Sequence, residues 1–137
     1  MDLDDACTLM ALLHGRNGKP IGDLIGGWDM LQADVPSREQ MERGVRLLVG
    51  SGLAEVDDRW TMRLTDEGAR IRRSVKPVQG VRQLPRKLCV ALGELDLQSA
   101  PITLPPSAFD PARLRYLQGV TDRAAARRRR PFWKLWG

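Results

Sequence analysis

Apolar residues recur every three or four positions in five stretches of this chain, and every second position in one. In residues 4–14, Ala6, Met10 and Leu13 share a face with Leu9 and Leu12 beside them, and Asp4 or Asp5 can cap the start. Gly15 and Asn17-Gly18 then turn the chain. A second helix is expected over about 21–32, with Ile21, Leu24, Ile25, Trp28 and Leu31 on one stripe and a Gly26-Gly27 pair that permits close packing of a neighbour. Ser37 and Gln40 have capping-box spacing at the head of a third helix, about 38–50, whose core stripe is Met41, Val45 and Leu48 and whose end is Gly50-Ser51-Gly52.

Period two takes over at residue 53. Residues 53–56 and 60–64 read as the strands of a hairpin turning at Asp57-Asp58-Arg59, with Trp60, Met62 and Leu64 on one face. Thr65-Asp66-Glu67 caps a fourth helix, about 66–75, with Arg70, Arg72 and Arg73 toward its C-terminal end, where cations suit the helix dipole. Pro77 and Gly80 mark a boundary. Val81, Leu84, Leu88, Ala91 and Leu95 predict a helix over 81–97, begun or kinked at Pro85. Residues 98–109 hold three prolines and read as an extended connection, and Asp110-Pro111 starts a last helix to about 126 with Leu114, Leu117, Val120 and Ala124 inward. The expected fold class is mainly α with a small two-stranded β-wing, divided into residues 1–76, a helical region 77–126 and a tail 127–137.

Charge changes the picture more than composition does. The 137 residues carry a formal net charge of +5. All five units sit in the tail, RRRRPFWKLWG; residues 1–58 carry −6 and residues 59–126 carry +6. Attraction to a polyanion therefore belongs to the second half and the tail. No apolar run reaches the ~20 residues that span a bilayer. The acidic N-terminus is unlike a signal peptide, and the two cysteines lie too far apart for a metal or redox motif, so a reduced, cytoplasmic protein is expected.

Two pieces of sequence resemble a winged helix-turn-helix domain. Residues 43–56, RGVRLLVGSGLAEV, are similar to the end of a recognition helix running through a glycine turn into the first wing strand. Leu64-Thr65-Asp66-Glu67-Gly68 resembles the LT-x-x-G that closes the wing in MarR-type bacterial regulators, and the whole chain resembles small bacterial winged-helix proteins. The resemblance covers about residues 4–75. It implies a dimeric, double-stranded-DNA-binding transcriptional regulator, in which Ser37, Arg38, Glu39, Arg43 and Arg46 of the third helix and Arg59 of the hairpin touch DNA. Winged helices also serve as protein-interaction modules. The acidic hairpin tip and the −6 charge of the first 58 residues fit that alternative. On the third helix, Glu39–Arg43 and Glu42–Arg46 are equally readable as i,i+4 pairs on a solvated face.

The tail offers a second site. Arg127, Arg128, Arg129 and Arg130 can neutralise phosphates of nucleic acid or anionic lipid, and Trp133 can stack on a base, enter a membrane interface or fold back into a groove. A tail-bound protein or membrane surface is thus an alternative partner, and a homodimer through Leu88 and Leu117 would cover the surplus apolar helix. Signals for catalysis are poor, and no enzyme, cofactor or metal is expected. Gly15 to Pro20 lacks the spacing and the Ser/Thr of a phosphate loop, a single histidine, His14, ends a helix, and Cys7 and Cys89 lie on apolar faces as core thiols.

Overall fold

The computed structural model describes residues 2–13, 17–75 and 83–129, without the side chains of 2 and 127–129. In chain order the elements are α1 (Asp2–Leu12), β1 (Lys19–Pro20), α2 (Ile21–Gln32), α3 (Arg38–Gly50), β2 (Ala54–Val56), β3 (Thr61–Leu64), α4 (Asp66–Ser74), α5 (Leu84–Gly93) and α6 (Pro106–Arg129). The expectations for His14, Val81 and the tail from Arg130 onward, Trp133 included, fall outside the described residues.

Helix α1 is the axis of the core. Every residue from Asp5 to Ala11, and Leu13, is buried, which suits a helix surrounded by α2, α3, α4 and α5. Its polar members are satisfied. Thr8 donates to the Asp4 carbonyl at 3.0 Å and accepts from Gln32 at 3.1 Å, and Asp5 accepts from Arg43 at 3.0 Å. Arg72 of α4 donates to the Met10 and Ala11 carbonyls at 3.1 and 2.9 Å, so a cation closes the C-terminal end of α1.

Small residues set how closely the helices approach. A Cβ at Gly44 of α3 would lie 2.6 Å from Leu9 Cδ1, and one at Gly27 of α2 would lie 2.9 Å from Leu12 Cδ2. The glycine pair of α2 is therefore a packing device, with Gly26 against Tyr116 of α6 and Gly27 against α1. Gly68, the glycine of LTDEG, packs directly on the Leu53 carbonyl, which locks the start of α4 onto the entry of β2.

The caps read from the sequence are in place. Gln40 N donates to Ser37 Oγ at 3.1 Å while Ser37 N donates to Gln40 Oε1 at 2.9 Å. At the other end of α3, Gly52 has φ 75°, Leu53 N donates to the Leu48 carbonyl at 2.9 Å and Gly52 N to the Val49 carbonyl at 3.1 Å, a Schellman closure. Thr65 Oγ1 accepts from Gly68 N at 3.1 Å.

The sheet has three antiparallel strands in the order β1-β3-β2, where two were expected. The extra strand is Lys19–Pro20, in register with Met62 and Thr61. Two residues, one of them proline, carry no periodicity, so nothing in their pattern announces a strand. Gly18 before it is sterically required, since a Cβ there would lie 2.6 Å from Thr61 Cγ2. In the hairpin, Met62 and Leu64 are buried as expected, but Trp60 takes φ 60° at the turn and is only half-buried.

The C-terminal half corrects three expectations. Helix α5 is shorter than 81–97: Leu84, Pro85, Leu88 and Leu92 face α1, while Leu95 lies beyond the helix and is exposed. Leu88 is fully buried within the chain, so it is not available as a contact with a second copy. Helix α6 begins at Pro106, and Pro111 sits inside it. Its inward residues are Phe109, Ala112 and Tyr116; Leu114 and Val120, expected inside, are 59% and 38% exposed. The helix starts about one turn earlier than Asp110-Pro111 implies, and Phe109, not Leu114, anchors it in the core.

Candidate functional site

Between α5 and α6 the chain runs extended through residues 96–105, and this strap lies along α3. Hydrogen bonds hold it along its length. Ser51 Oγ donates to the Gln98 carbonyl at 3.1 Å and accepts from Gln98 N at 2.9 Å. Ala100 N donates to the Arg46 carbonyl at 2.9 Å. Arg46 Nε donates to the Ile102 carbonyl at 2.5 Å. Leu104 is clamped from both sides: its N–H donates to Glu42 Oε2 at 2.8 Å, and its carbonyl accepts from Arg38 Nη1 at 2.9 Å. The Leu104 side chain is fully buried.

Arg38, Glu42, Arg46 and Gly50 are spaced four apart, so they form one ridge of α3. The strap occupies that ridge. Gly50 is the close-approach point, since any Cβ there would collide with the backbone of Gln98 to Ala100. Within the ridge Glu42 bridges both arginines, with Arg38 at 2.9 Å and Arg46 at 3.4 Å. The i,i+4 pair Glu42–Arg46 is present, but against the strap and not on a solvated face, since Glu42 is only 14% exposed. The expected Glu39–Arg43 pair is replaced: Glu39 meets Arg38 at 3.3 Å, and Arg43 turns to Asp5 of α1 at 3.0 Å. Arg43 is 41% exposed, yet its partner carboxylate is only 7% exposed, so Arg43 helps fasten α3 to α1 and is not a free surface cation.

Two grooves flank the start of α6. One of about 570 Å³ is lined by Ser37, Arg38 and Glu39 together with Pro106, Asp110 and Arg113. The other, about 450 Å³, is lined by Arg59 and the first turn of α2 together with Pro111, Arg115 and Tyr116. The first turns of α6 therefore stand between the head of α3 and the hairpin tip. The structure does not gather Ser37, Arg38, Glu39, Arg43, Arg46 and Arg59 on one continuous face. Arg59 is exposed, and the turn beside it is fixed by Asp57, whose Oδ1 accepts from Arg59 N and Thr61 N at 2.9 Å each. Arg127, Arg128 and Arg129 form the last turn of α6.

The fold makes one contact that spacing could not show. Cys7 of α1 and Cys89 of α5, separated by 82 positions, bring their sulfurs to 2.7 Å, both as free thiols. Cys7 is fully buried; Cys89 is half-buried, with its sulfur 3.6 Å from Asp4 Oδ1. Burial pushes both thiols above the usual cysteine value, and the Asp4 carboxylate adds to the rise. Among the described residues no cluster of His, Cys, Asp and Glu is placed to hold a metal ion. No described helix is long and apolar enough to cross a membrane. Comparison of the chain with protein-family models, with curated proteins and with solved structures found no match.

Proposed function

We propose that this chain is a winged-helix protein-interaction module that does not read DNA bases with α3, and that it engages its partner through α6 and the basic-aromatic tail. The observation that carries this reading is the strap on α3. A bare helix is ~10–12 Å across with its side chains, which matches a major groove ~12 Å wide. A helix carrying an extended strand along its flank is too broad to enter. Of the three α3 arginines expected at DNA, Arg38, expected on the backbone, and Arg46, expected at base edges or phosphates, donate to the strap's own carbonyls, and Arg43, expected beside Arg46, is held by Asp5. Helix α6 has apolar Leu114 and Val120 facing outward, and a second copy of the chain is the first partner to test on that surface.

A second reading is a bacterial transcriptional regulator of winged-helix type. It is favoured by the element order around the three-stranded sheet and by exposed Arg59 at the hairpin tip. An electrophoretic shift of the full chain with total genomic fragments, at two salt concentrations, separates the readings. The interaction module shifts all fragments alike at low salt and none at high salt. Selective retention of a few fragments at high salt would establish the regulator instead. Sedimentation equilibrium at tens of micromolar tests the second-copy partner, with a monomer as the contrary result.

A further inference from the structure

We propose that Cys7 and Cys89 are a site of reversible oxidation, closing to an intramolecular disulfide that staples α1 to α5 without disturbing the fold. The sulfurs are 2.7 Å apart, against ~2.05 Å in the bond, so closure asks for well under an ångström of approach. The two cysteines sit on packed helices whose neighbouring residues, Leu88 and Leu92 on one and Ala6 and Met10 on the other, are all buried. That packing holds the thiols together before any oxidant arrives.

The accessibility of the two sulfurs sets the order of events. Cys89 is reachable from solvent and Cys7 is not. With hydrogen peroxide as oxidant, the Cys89 sulfur, having lost its proton, attacks one peroxide oxygen. The O–O bond breaks, and one water leaves as the sulfenic acid forms. The Cys7 sulfur then attacks the Cys89 sulfur, its proton passes to the sulfenic hydroxyl, and that hydroxyl departs as a second water. In total two thiols are oxidised to one disulfide and one peroxide is reduced to two waters. Since burial holds both thiols protonated, the step is slow next to that of an activated cysteine, and the pair rests in the dithiol form until oxidant accumulates.

The test uses the full chain, fully reduced, then exposed to hydrogen peroxide, quenched in denaturant with a maleimide and weighed intact. The expected product is lighter by two hydrogens, takes up no maleimide, stays monomeric on a non-reducing gel and yields a Cys7–Cys89 linked peptide. Dithiothreitol restores both thiols. The oxidised form should melt roughly 5–15 °C higher than the reduced one. Cys89→Ser, at the half-buried position, should fold and form no disulfide. The proposal is overturned if both thiols remain open to maleimide. It is equally overturned if Cys89 gains oxygens while Cys7 stays reduced, if the only disulfide joins two chains, or if the oxidised form melts lower than the reduced one.

Discussion

At the scale of single residues, contacts here are decided by what a side chain would displace or donate to. Gly50 touches the strap backbone, so Gly50→Ala must push Gln98 to Ala100 off α3. The expected cost is about 1–3 kcal/mol, as for other overpacked sites. Gly93, the last residue of α5, has nothing within 4 Å of its Cβ position, and Gly93→Ala should stabilise by about 0.4–1 kcal/mol. Urea titration of the pair checks both signs, and equal effects would mean that the strap does not press on α3. Tyr116 adds a pH signature. Its hydroxyl donates to Asp29 Oδ2 at 2.5 Å, and that bond, helped by burial, raises the tyrosine above its usual value near 10. A raised folded value means stability that is fully present below pH ~10 and is lost as pH climbs through the higher folded value. Tyr116→Phe should therefore cost about 0.5–1.5 kcal/mol at pH 7 and show a smaller alkaline loss than the parent, read from melts at the two pH values.

At the scale of elements, legibility follows periodicity. Helices α2 and α3 are readable because each has a three-four apolar stripe, and α3 also has a glycine stop, whereas α2 ends on Ala33 at φ 57°. Strand β1 is not, because Lys19 and Pro20 are too few to show alternation and owe their conformation to pairing with β3. The strap is invisible as a partner for α3 for a related reason. Its bonds run from backbone carbonyls and amides at Gln98, Ala100, Ile102 and Leu104, which no side-chain pattern reports. Gly50 is the one available hint: Gly52 alone closes the helix, so a glycine two positions earlier has to answer to something else. Arg38 and Arg46 are readable as polar positions of α3, yet their partners, more than fifty positions away, are beyond any local rule. The inward face of α6 yields a direct check. Phe109→Ala should cost about 3–5 kcal/mol, since Phe109 is among the largest fully enclosed side chains, whereas Leu114→Ala should stay within about 0.5 kcal/mol. Comparable losses at the two positions would restore the face drawn from sequence.

At the scale of the whole molecule, charge and shape point away from each other in a way that bears on function. The ridge of α3 that carries Glu42 and Arg46 is occupied by the chain's own strap, and the head of α3 is flanked by α6. The excess positive charge lies at the opposite end of the sequence, in residues 127–137, beginning with the last turn of α6. Deleting residues 127–137 removes every unit of net charge, because residues 1–126 are neutral. It should leave the melt almost unchanged, since the residues of α6 that enter the core end near Tyr116. Affinity for random duplex DNA should fall sharply at low salt, and the dependence of log K on log salt should flatten by ~0.9 for each phosphate that the tail no longer neutralises. This follows if the only attraction to nucleic acid is electrostatic and resides in the tail. A truncated chain that still held particular fragments at high salt would show base contacts made elsewhere, and Arg59 with the uncovered side of α3 would be the place to seek them.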